Sequence, residues 1–230
     1  MQGCPWDFLH DGKKHIISLV GGGGKTTIMY QLAEFFAKRG RRALVTTTTH
    51  IWRPELRYAG DMRQVQALWR QGEYAVIGCC EPASGKLTAP DAGLRHWAEE
   101  AADVVLIEAD GAKQLPCKLP AAHEPVLLPE CDIVIGVAGL DALGSTLEEA
   151  CFRWQLGRDI FASSCNLLID EKLLAAILLS ERGARKNVGS RGYYAALNKC
   201  DKVNPERVRR LQELLSDAGL PAERVWLRGR

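Results

Sequence analysis

The sequence lacks a long apolar segment and a strong net charge. Its longest aliphatic run, Leu173–Leu179, is far shorter than the roughly 20 residues that a membrane-spanning helix needs. Thirty Lys and Arg side chains nearly balance 28 Asp and Glu side chains, and the resulting net charge of +2 gives no signal for a polyanionic ligand. We therefore expect neither a membrane nor a nucleic acid among the partners of this 230-residue chain.

The sequence also lacks the cysteine patterns of disulfide frameworks and zinc sites. Its eight cysteines are scattered, no apolar leader segment precedes them, and no two are spaced as CxxC. We predict a cytoplasmic protein whose thiols stay reduced. For Cys79, Cys80 and Cys117 the pattern leaves open both simple packing and a redox or selenium-handling role.

Short runs of Val, Ile and Leu alternate with helical patterns along the chain, which is typical of a parallel sheet wrapped by helices. We predict one α/β domain over residues 1–230, with a three-layer P-loop NTPase-like fold, a mostly parallel central sheet and helices on both faces. This leaves room for a helical insertion at about 145–185. Strands are predicted at 15–20, 43–47, 74–78, 104–108, 133–138, 193–197 and 224–227, and the main helices at 25–38, 62–70, 94–101 and 205–218.

A glycine-rich segment follows the first predicted strand and opens the first predicted helix. In that context a loop can cradle a polyphosphate, because glycines allow close approach of the backbone and a helix N-terminus favours negative charge. Lys25 would bridge the β- and γ-phosphates, and the Thr26 hydroxyl would hold Mg²⁺. Leu19 stands where the strict motif has glycine, so the compact Gly-Gly-x-Gly-Lys-Thr variant fits better. The nucleotide-binding candidates here are Gly21, Gly22, Gly23, Gly24, Lys25, Thr26 and Thr27.

The predicted strand at 104–108 ends in the acidic residue Glu108. An acid at the end of such a strand is typical of the second half of a Mg–nucleotide site. Glu108 would meet the metal, and Asp110 would position or deprotonate an attacking group. We therefore take Lys25, Glu108 and Asp110 as catalytic candidates, and Thr26 and Glu108 as metal ligands. Glu108-x-x-Gly111 also resembles a motif of GTPases that mature metalloenzymes, such as the nickel-insertion proteins of hydrogenase and urease. A merely solvated acid at a strand end is the alternative.

The segment Asn198-Lys199-Cys200-Asp201 follows another predicted strand and resembles the guanine-reading motif of GTPases. The Asp201 carboxylate would accept hydrogen bonds from N1–H and the exocyclic amine of guanine, and the stem of Lys199 would pack on the base. These residues predict GTP in preference to ATP. The alternative, compatible with the first, is that Asp201 or Asn204 caps the helix that begins near Pro205.

Two polar segments are candidates for substrate or partner contacts. Residues 48–50 follow the second predicted strand, and ligands of parallel sheets bind at the C-terminal strand ends. Residues 111–125 continue from the candidate metal acid and suit the gripping of an anion or the transfer of a proton; a rigid connector is the alternative. The candidates in these segments are Thr48, Thr49, His50, Lys113, Lys118, His123 and Glu124.

These motifs together resemble the YqeC family of accessory proteins of selenium-dependent hydroxylases. The most distinctive part is Glu-Ala-Asp-Gly-Ala-Lys at 108–113 followed by Lys-x-Pro-x-x-x-Glu-Pro at 118–125. The resemblance implies a cytoplasmic P-loop protein linked to the maturation of selenium-containing molybdenum hydroxylases. Its partner would then be such a hydroxylase or its molybdenum cofactor.

Two classes of function stay open. The first is an Mg²⁺-dependent hydrolase of GTP or ATP that drives the loading of selenium or molybdenum cofactor; with a small acceptor in place of water it would be a kinase or nucleotidyl transferase. The second is a nucleotide-gated binding protein or chaperone with little turnover of its own. The sequence marks no clear catalytic arginine, although Arg53 and Arg158 are candidates.

Overall fold

The computed structural model describes Trp6, Leu9 and residues 11–157 and 167–229. Its strands include all seven that the sequence predicts, with boundaries shifted by a few residues at most. The strands are β1 (His15–Gly21), β2 (Ala43–Thr47), β3 (Ile51–Trp52), β4 (Ala75–Val76), β5 (Cys79–Glu81), β6 (Lys86–Thr88), β7 (Val104–Glu108), β8 (Cys117–Lys118), β9 (Ile133–Gly139), β10 (Cys151–Phe152), β11 (Gly192–Asn198) and β12 (Val225–Arg228).

The central sheet has seven strands in the order β12–β11–β9–β1–β7–β2–β4. The pairings of β2 with β4 and β7, and of β11 with β9 and β12, are parallel. The predicted three-layer, P-loop-like α/β fold with a mostly parallel sheet is therefore confirmed. The helices are α1 (Lys25–Ala37), α2 (Met62–Arg70), α3 (Ala92–Ala101), α4 (Leu147–Ala150), α5 (Glu171–Leu179) and α6 (Pro205–Asp217).

Side-chain caps fix where several helices begin. Asp61, Asp91 and Asp170 each accept a hydrogen bond from a backbone N–H in the first turn of α2, α3 and α5 respectively. Asn204 does the same for α6, and Pro205 occupies the first turn, where its missing N–H costs nothing. Of the two predicted caps for this helix, Asn204 is the one observed.

Two small sheets were not predicted. Strands β3, β6 and β5 form an antiparallel sheet, and β8 pairs with β10 in parallel. Within the range of the possible helical insertion at about 145–185, Cys151 and Phe152 form β10 and pair with Cys117 and Lys118. Residues 158–166 of that insertion lie outside the described part of the chain.

The chain divides into two compact units. The first comprises Met1–Ser18, Thr26–Ala109 and Leu128–Asp132, and its core includes the fully buried strands β2, β4 and β7 and the apolar face of α1. The second comprises Leu19–Lys25, Asp110–Leu127 and Ile133–Arg230, and buries β9, most of β11, and the apolar faces of α5 and α6. The single-domain organisation of residues 1–230 stays a prediction.

Within the first unit, His15 contacts two partly exposed carboxylates, and these contacts make stability depend on pH. Its Nδ1 lies 2.6 Å from Asp132 Oδ2, and its Nε2 lies 3.0 Å from Asp11 Oδ1. The hydrogen bond with Asp132 raises the pKa of His15 above its ordinary value, although burial opposes the shift. Because the folded pKa is the higher one, this stabilisation is complete below the unfolded value of about 6.5 and is lost as pH rises through the folded pKa.

We expect His15→Gln to lower the free energy of unfolding by about 1 kcal/mol at pH 6, where the ring is charged, and by less at pH 9. Chemical denaturation at both pH values measures the difference. His96→Gln is the matched control, since that ring is 76% exposed. Equal losses for His15→Gln at the two pH values would contradict the assignment.

Where the structure describes the chain, no helix combines the length and the apolar character needed to cross a bilayer.

Candidate functional site

The glycine loop, Gly21–Gly24, joins β1 to α1 in a shape that requires glycine. Gly21, Gly23 and Gly24 have φ angles of 93°, 76° and 119°, which other residues adopt only under strain. A Cβ atom at Gly21 would overlap the backbone of Val137, and one at Gly23 would overlap that of Gly139. The glycines thus allow both the turn and a close approach to the end of β9.

Three backbone N–H groups of the glycine loop donate hydrogen bonds to residues of the second unit. Gly21 donates to Asp110 Oδ2 at 3.1 Å, Gly22 to the Val137 carbonyl at 2.9 Å and Gly23 to the Leu115 carbonyl at 2.9 Å. The glycine-rich sequence predicts a loop whose N–H groups point at a polyphosphate, whereas these three N–H groups bind protein atoms in the structure.

Lys25 lies inside the second unit with only 4% of its side chain exposed. Its ammonium donates to the Gly21 carbonyl at 2.6 Å and lies 3.1 Å from Asp110 Oδ1. The second contact is an ion pair, but its geometry is not that of a hydrogen bond. Asp110 Oδ1 therefore accepts no hydrogen bond from any described residue. A buried carboxylate oxygen left in this state costs about 1–3 kcal/mol or more, so it suits a ligand that brings a donor.

In the first unit, the Thr26 hydroxyl and the Glu108 carboxylate contact each other. Thr26 Oγ1 donates to Glu108 Oε2 at 2.6 Å, and Glu108 is 6% exposed. The Glu108 carbonyl at the end of β7 accepts from Thr47 Oγ1 at 2.9 Å and from the Thr48 N–H at 3.1 Å. A hydroxyl beside a carboxylate is a donor set that Mg²⁺ prefers, so these residues fit the predicted metal.

The predicted threonine segment lies beside the end of β7 in this same unit. Thr48 and Thr49 are half-buried, whereas His50 is exposed. The Thr49 N–H donates to Thr47 Oγ1 at 2.9 Å, which fixes the turn after β2. The Glu108 carbonyl thus holds Thr48 in place, and His50 alone of the three presents its side chain freely to solvent.

Five charged side chains of the second unit alternate in sign, and we call Lys25, Asp110, Lys118, Glu124 and Arg153 the charge chain. Lys118 is fully buried; its ammonium lies 3.3 Å from Asp110 Oδ2 and donates to Glu124 Oε2 at 2.6 Å. Arg153 Nη1 donates to the same oxygen of Glu124. Lys118 and Glu124, predicted for a substrate loop, are thus buried partners of each other, whereas Lys113 and His123 of that loop are exposed.

Glu124 stays ionised within the charge chain. Burial raises the pKa of its carboxyl, but the hydrogen bond and charge of Lys118, the Ala121 N–H and the charge of Arg153 together lower that pKa below its ordinary range. Glu124 therefore contributes a full negative charge to the charge chain at neutral pH. Buried ion pairs of this kind seldom add stability over apolar packing.

The predicted base-reading motif contacts the glycine loop through Asn198. Its Nδ2 donates to the Gly23 carbonyl at 2.6 Å, and Arg228 Nη1 donates to its Oδ1 at 2.7 Å. Lys199 adopts a left-handed conformation with φ 61°, and its ammonium donates to Asp141 Oδ2 at 2.6 Å. Asp201 is exposed, so its carboxylate is accessible to a ligand.

The model of the family described as YqeC protein matches residues 17–155, which is more than half of the chain. This chain belongs to the YqeC family. It is 32% identical over 197 residues to the Uncharacterized protein YqeC of Escherichia coli (strain K12), in an alignment that covers 75% of this chain and 71% of that relative. The range matched by the family model contains the glycine loop, Glu108 and the whole charge chain of this YqeC protein.

Sequence reasoning missed two arginines of this YqeC protein. Arg153 follows β10, within the range given for a possible helical insertion, and Arg228 ends the last strand opposite Asn198. Of the arginines named from the sequence, Arg53 is exposed and its Nη1 lies 3.3 Å from Cys80 Sγ, and Arg158 lies outside the described residues. The position of Arg153 depends on the pairing of β8 with β10. No local sequence pattern predicts that pairing.

The three cysteines singled out from the sequence differ in environment. Cys79 and Cys80 are exposed on β5, and Cys117 is buried on β8 directly opposite Cys151 of β10. A hydrogen bond with Cys151, together with burial, raises the pKa of the Cys117 thiol. Cys117 therefore stays a protonated, unreactive thiol at neutral pH.

Proposed function

We propose that this YqeC protein binds a Mg²⁺–nucleotide, GTP in preference to ATP, and hydrolyses it. The position of Lys25 carries the proposal: its ammonium is held within a loop that only glycines can form, beside a buried carboxylate with an unsatisfied oxygen. An ammonium in a glycine loop at a helix N-terminus is suited to the charge of a triphosphate.

Each residue would have a defined task in hydrolysis. The Lys25 ammonium and the N–H groups that begin α1 would stabilise negative charge on the transferred phosphoryl group. Thr26 and Glu108 would hold Mg²⁺, which neutralises phosphate charge when bound. Once Lys25 turned from Asp110 towards a phosphate, the Asp110 carboxylate would be able to accept a hydrogen bond from the attacking water and orient it.

Guanine recognition is proposed for Asp201, supported by the hydrogen bond that ties Asn198 to the glycine loop. We expect Asp201→Asn to weaken GTP binding about 100-fold and ATP binding less than about threefold, because only guanine supplies two donors to this carboxylate. Competition binding with both nucleotides measures the ratio. Asp217→Asn, an exposed acid at the end of α6, is the control, and equal losses for GTP and ATP would reject guanine reading.

The biological role is proposed from the family resemblance: nucleotide turnover would assist the loading of selenium or molybdenum cofactor into a selenium-dependent hydroxylase. The Glu108-x-x-Gly111 segment, which resembles that of metalloenzyme-maturation GTPases, agrees with this role. The hydroxylase or its cofactor would then be the partner. If a small molecule replaced water as the acceptor, the same groups would support a kinase or nucleotidyl transferase.

A nucleotide-gated binding role is the second candidate, and one observation favours it. The Lys25 ammonium already has partners in the protein, and its move to a phosphate would release Asp110, which Lys118 links to the 111–125 loop. Incubating the purified protein with Mg²⁺ and either GTP or ATP, with and without selenide, separates the candidates by their products. Release of GDP and phosphate supports hydrolysis, bound but unconsumed GTP supports gating, and the absence of both overturns the proposal.

A further inference from the structure

We propose that Lys113, Phe152 and Arg153 form a second anion site, which takes a phosphate-sized, doubly charged oxyanion group. The site lies at the opposite end of the charge chain from Lys25. That this site binds the anionic group of a second substrate rests on the proposed function. That it binds an anion at all does not.

Three cations converge on the ring of Phe152. Arg153 Cζ lies 4.6 Å from the ring centroid, Lys113 Nζ 5.2 Å and Lys118 Nζ 5.8 Å. The pairing of β8 with β10, in which Lys118 stands opposite Phe152, brings the two chain segments together. An aromatic face attracts cations but leaves their charge in place, so the ring gathers positive charge without neutralising it.

The charges of this cluster do not balance. The charge chain has three cations and two carboxylates, and Lys113 adds a fourth cation, so the excess is 4 − 2 = +2. Within the described part of the chain Lys113 has no ion-pair partner, and Glu124 is shared between Lys118 and Arg153. A ligand with two negative charges would restore neutrality, and partial burial would strengthen its attraction.

The two chain segments that carry these cations contain residues in a strained backbone conformation. Lys113, Gln114 and Arg153 have left-handed φ angles of 47°, 64° and 60°, a conformation that costs each residue about 1–2 kcal/mol. Such residues concentrate at ligand sites, where the surrounding structure holds them. The exposed end of the cluster is open to a ligand, since Lys113 is exposed and 30% of the Arg153 side chain is accessible.

The test is calorimetric titration of the full chain, saturated with Mg²⁺–GDP to fill the glycine loop, with inorganic phosphate and separately with glycerol 3-phosphate. We expect saturable binding with Kd on the order of 1 mM or tighter. The tighter of the two ligands identifies the source of the oxyanion, a free ion or a phosphorylated substrate. Lys113→Gln and Arg153→Gln should each weaken binding at least about fivefold, while Arg209→Gln, an exposed cation on α6, should not.

Lys113→Gln keeps the test decisive if loss of Arg153 impairs folding, because Lys113 is exposed and outside the charge chain. Phosphate binding that is absent, or that Lys113→Gln and Arg153→Gln leave unchanged, overturns the second site. The same titration of Lys25→Ala without nucleotide separates the two proposals. Binding that survives Lys25→Ala and depends on Lys113 supports the second site even if the protein binds no nucleotide; binding lost in Lys25→Ala and indifferent to Lys113 overturns it.

Discussion

Lys25→Ala is expected to weaken the binding of GTP and ATP by at least about 100-fold, or about 3 kcal/mol. The substitution removes the ammonium that lies in the glycine loop and leaves the Asp110 carboxylate facing the incoming phosphates. Attraction between Lys25 and the triphosphate is thereby replaced by repulsion from Asp110. Calorimetric titration with Mg²⁺ and each nucleotide measures the loss.

Two further variants make the Lys25 result interpretable. Lys25→Ala removes one of the two cations that flank the buried Asp110 carboxylate and leaves Lys118 beside it, which is itself destabilising. The double variant Lys25→Ala, Asp110→Asn should therefore fold better and still fail to bind. Lys38→Ala removes a lysine that is 70% exposed and paired with Glu34, and it should bind as the wild type does. Unchanged affinity in Lys25→Ala would remove the phosphate-loop assignment.

Glu108→Gln is expected to lower the rate of Mg²⁺-dependent turnover about 100-fold while changing nucleotide affinity only a few-fold. The amide keeps the shape of the carboxylate and can still contact Thr26, but it is a poor ligand for Mg²⁺. The substitution would therefore remove the charge that we propose organises the metal, without disturbing the loop. Phosphate release at saturating nucleotide and Mg²⁺ measures the rate.

A matched control for Glu108→Gln is Glu100→Gln, since Glu100 is 71% exposed at the end of α3. That variant should hydrolyse GTP at the wild-type rate. Raising the Mg²⁺ concentration should partly restore Glu108→Gln, because a weakened metal site fills at higher concentration. Turnover at the wild-type rate in Glu108→Gln would mean that Glu108 is not the metal acid.

The central sheet could be predicted because most of its strands are buried on both faces. Strand β2 and the first four residues of β7 are apolar or β-branched, and the predicted and observed boundaries of both strands coincide. The places of the glycine loop and Glu108 could be predicted for a related reason. The loop follows β1 and Glu108 ends β7, and ligands of parallel sheets bind at the C-terminal ends of strands.

The charge chain could not be predicted in this form. Lys118 and Glu124 are residue types that are almost always exposed, so the sequence favoured a solvent-facing loop, whereas tertiary pairing buries both. Strands β8 and β10 have two residues each, too short for any periodic pattern, and their pairing alone brings Arg153 to Glu124. Arg228 was missed likewise, since its contact with Asn198 depends on the register of β11 and β12.

The most direct test is a crystal structure of the full chain with Mg²⁺ and a non-hydrolysable GTP analogue. We predict phosphates on the N–H groups of residues 24–27, the Lys25 ammonium moved from Asp110 to the phosphates, and guanine against Asp201. A nucleotide bound elsewhere, with Lys25 still on the Gly21 carbonyl and Asp110, would contradict this prediction.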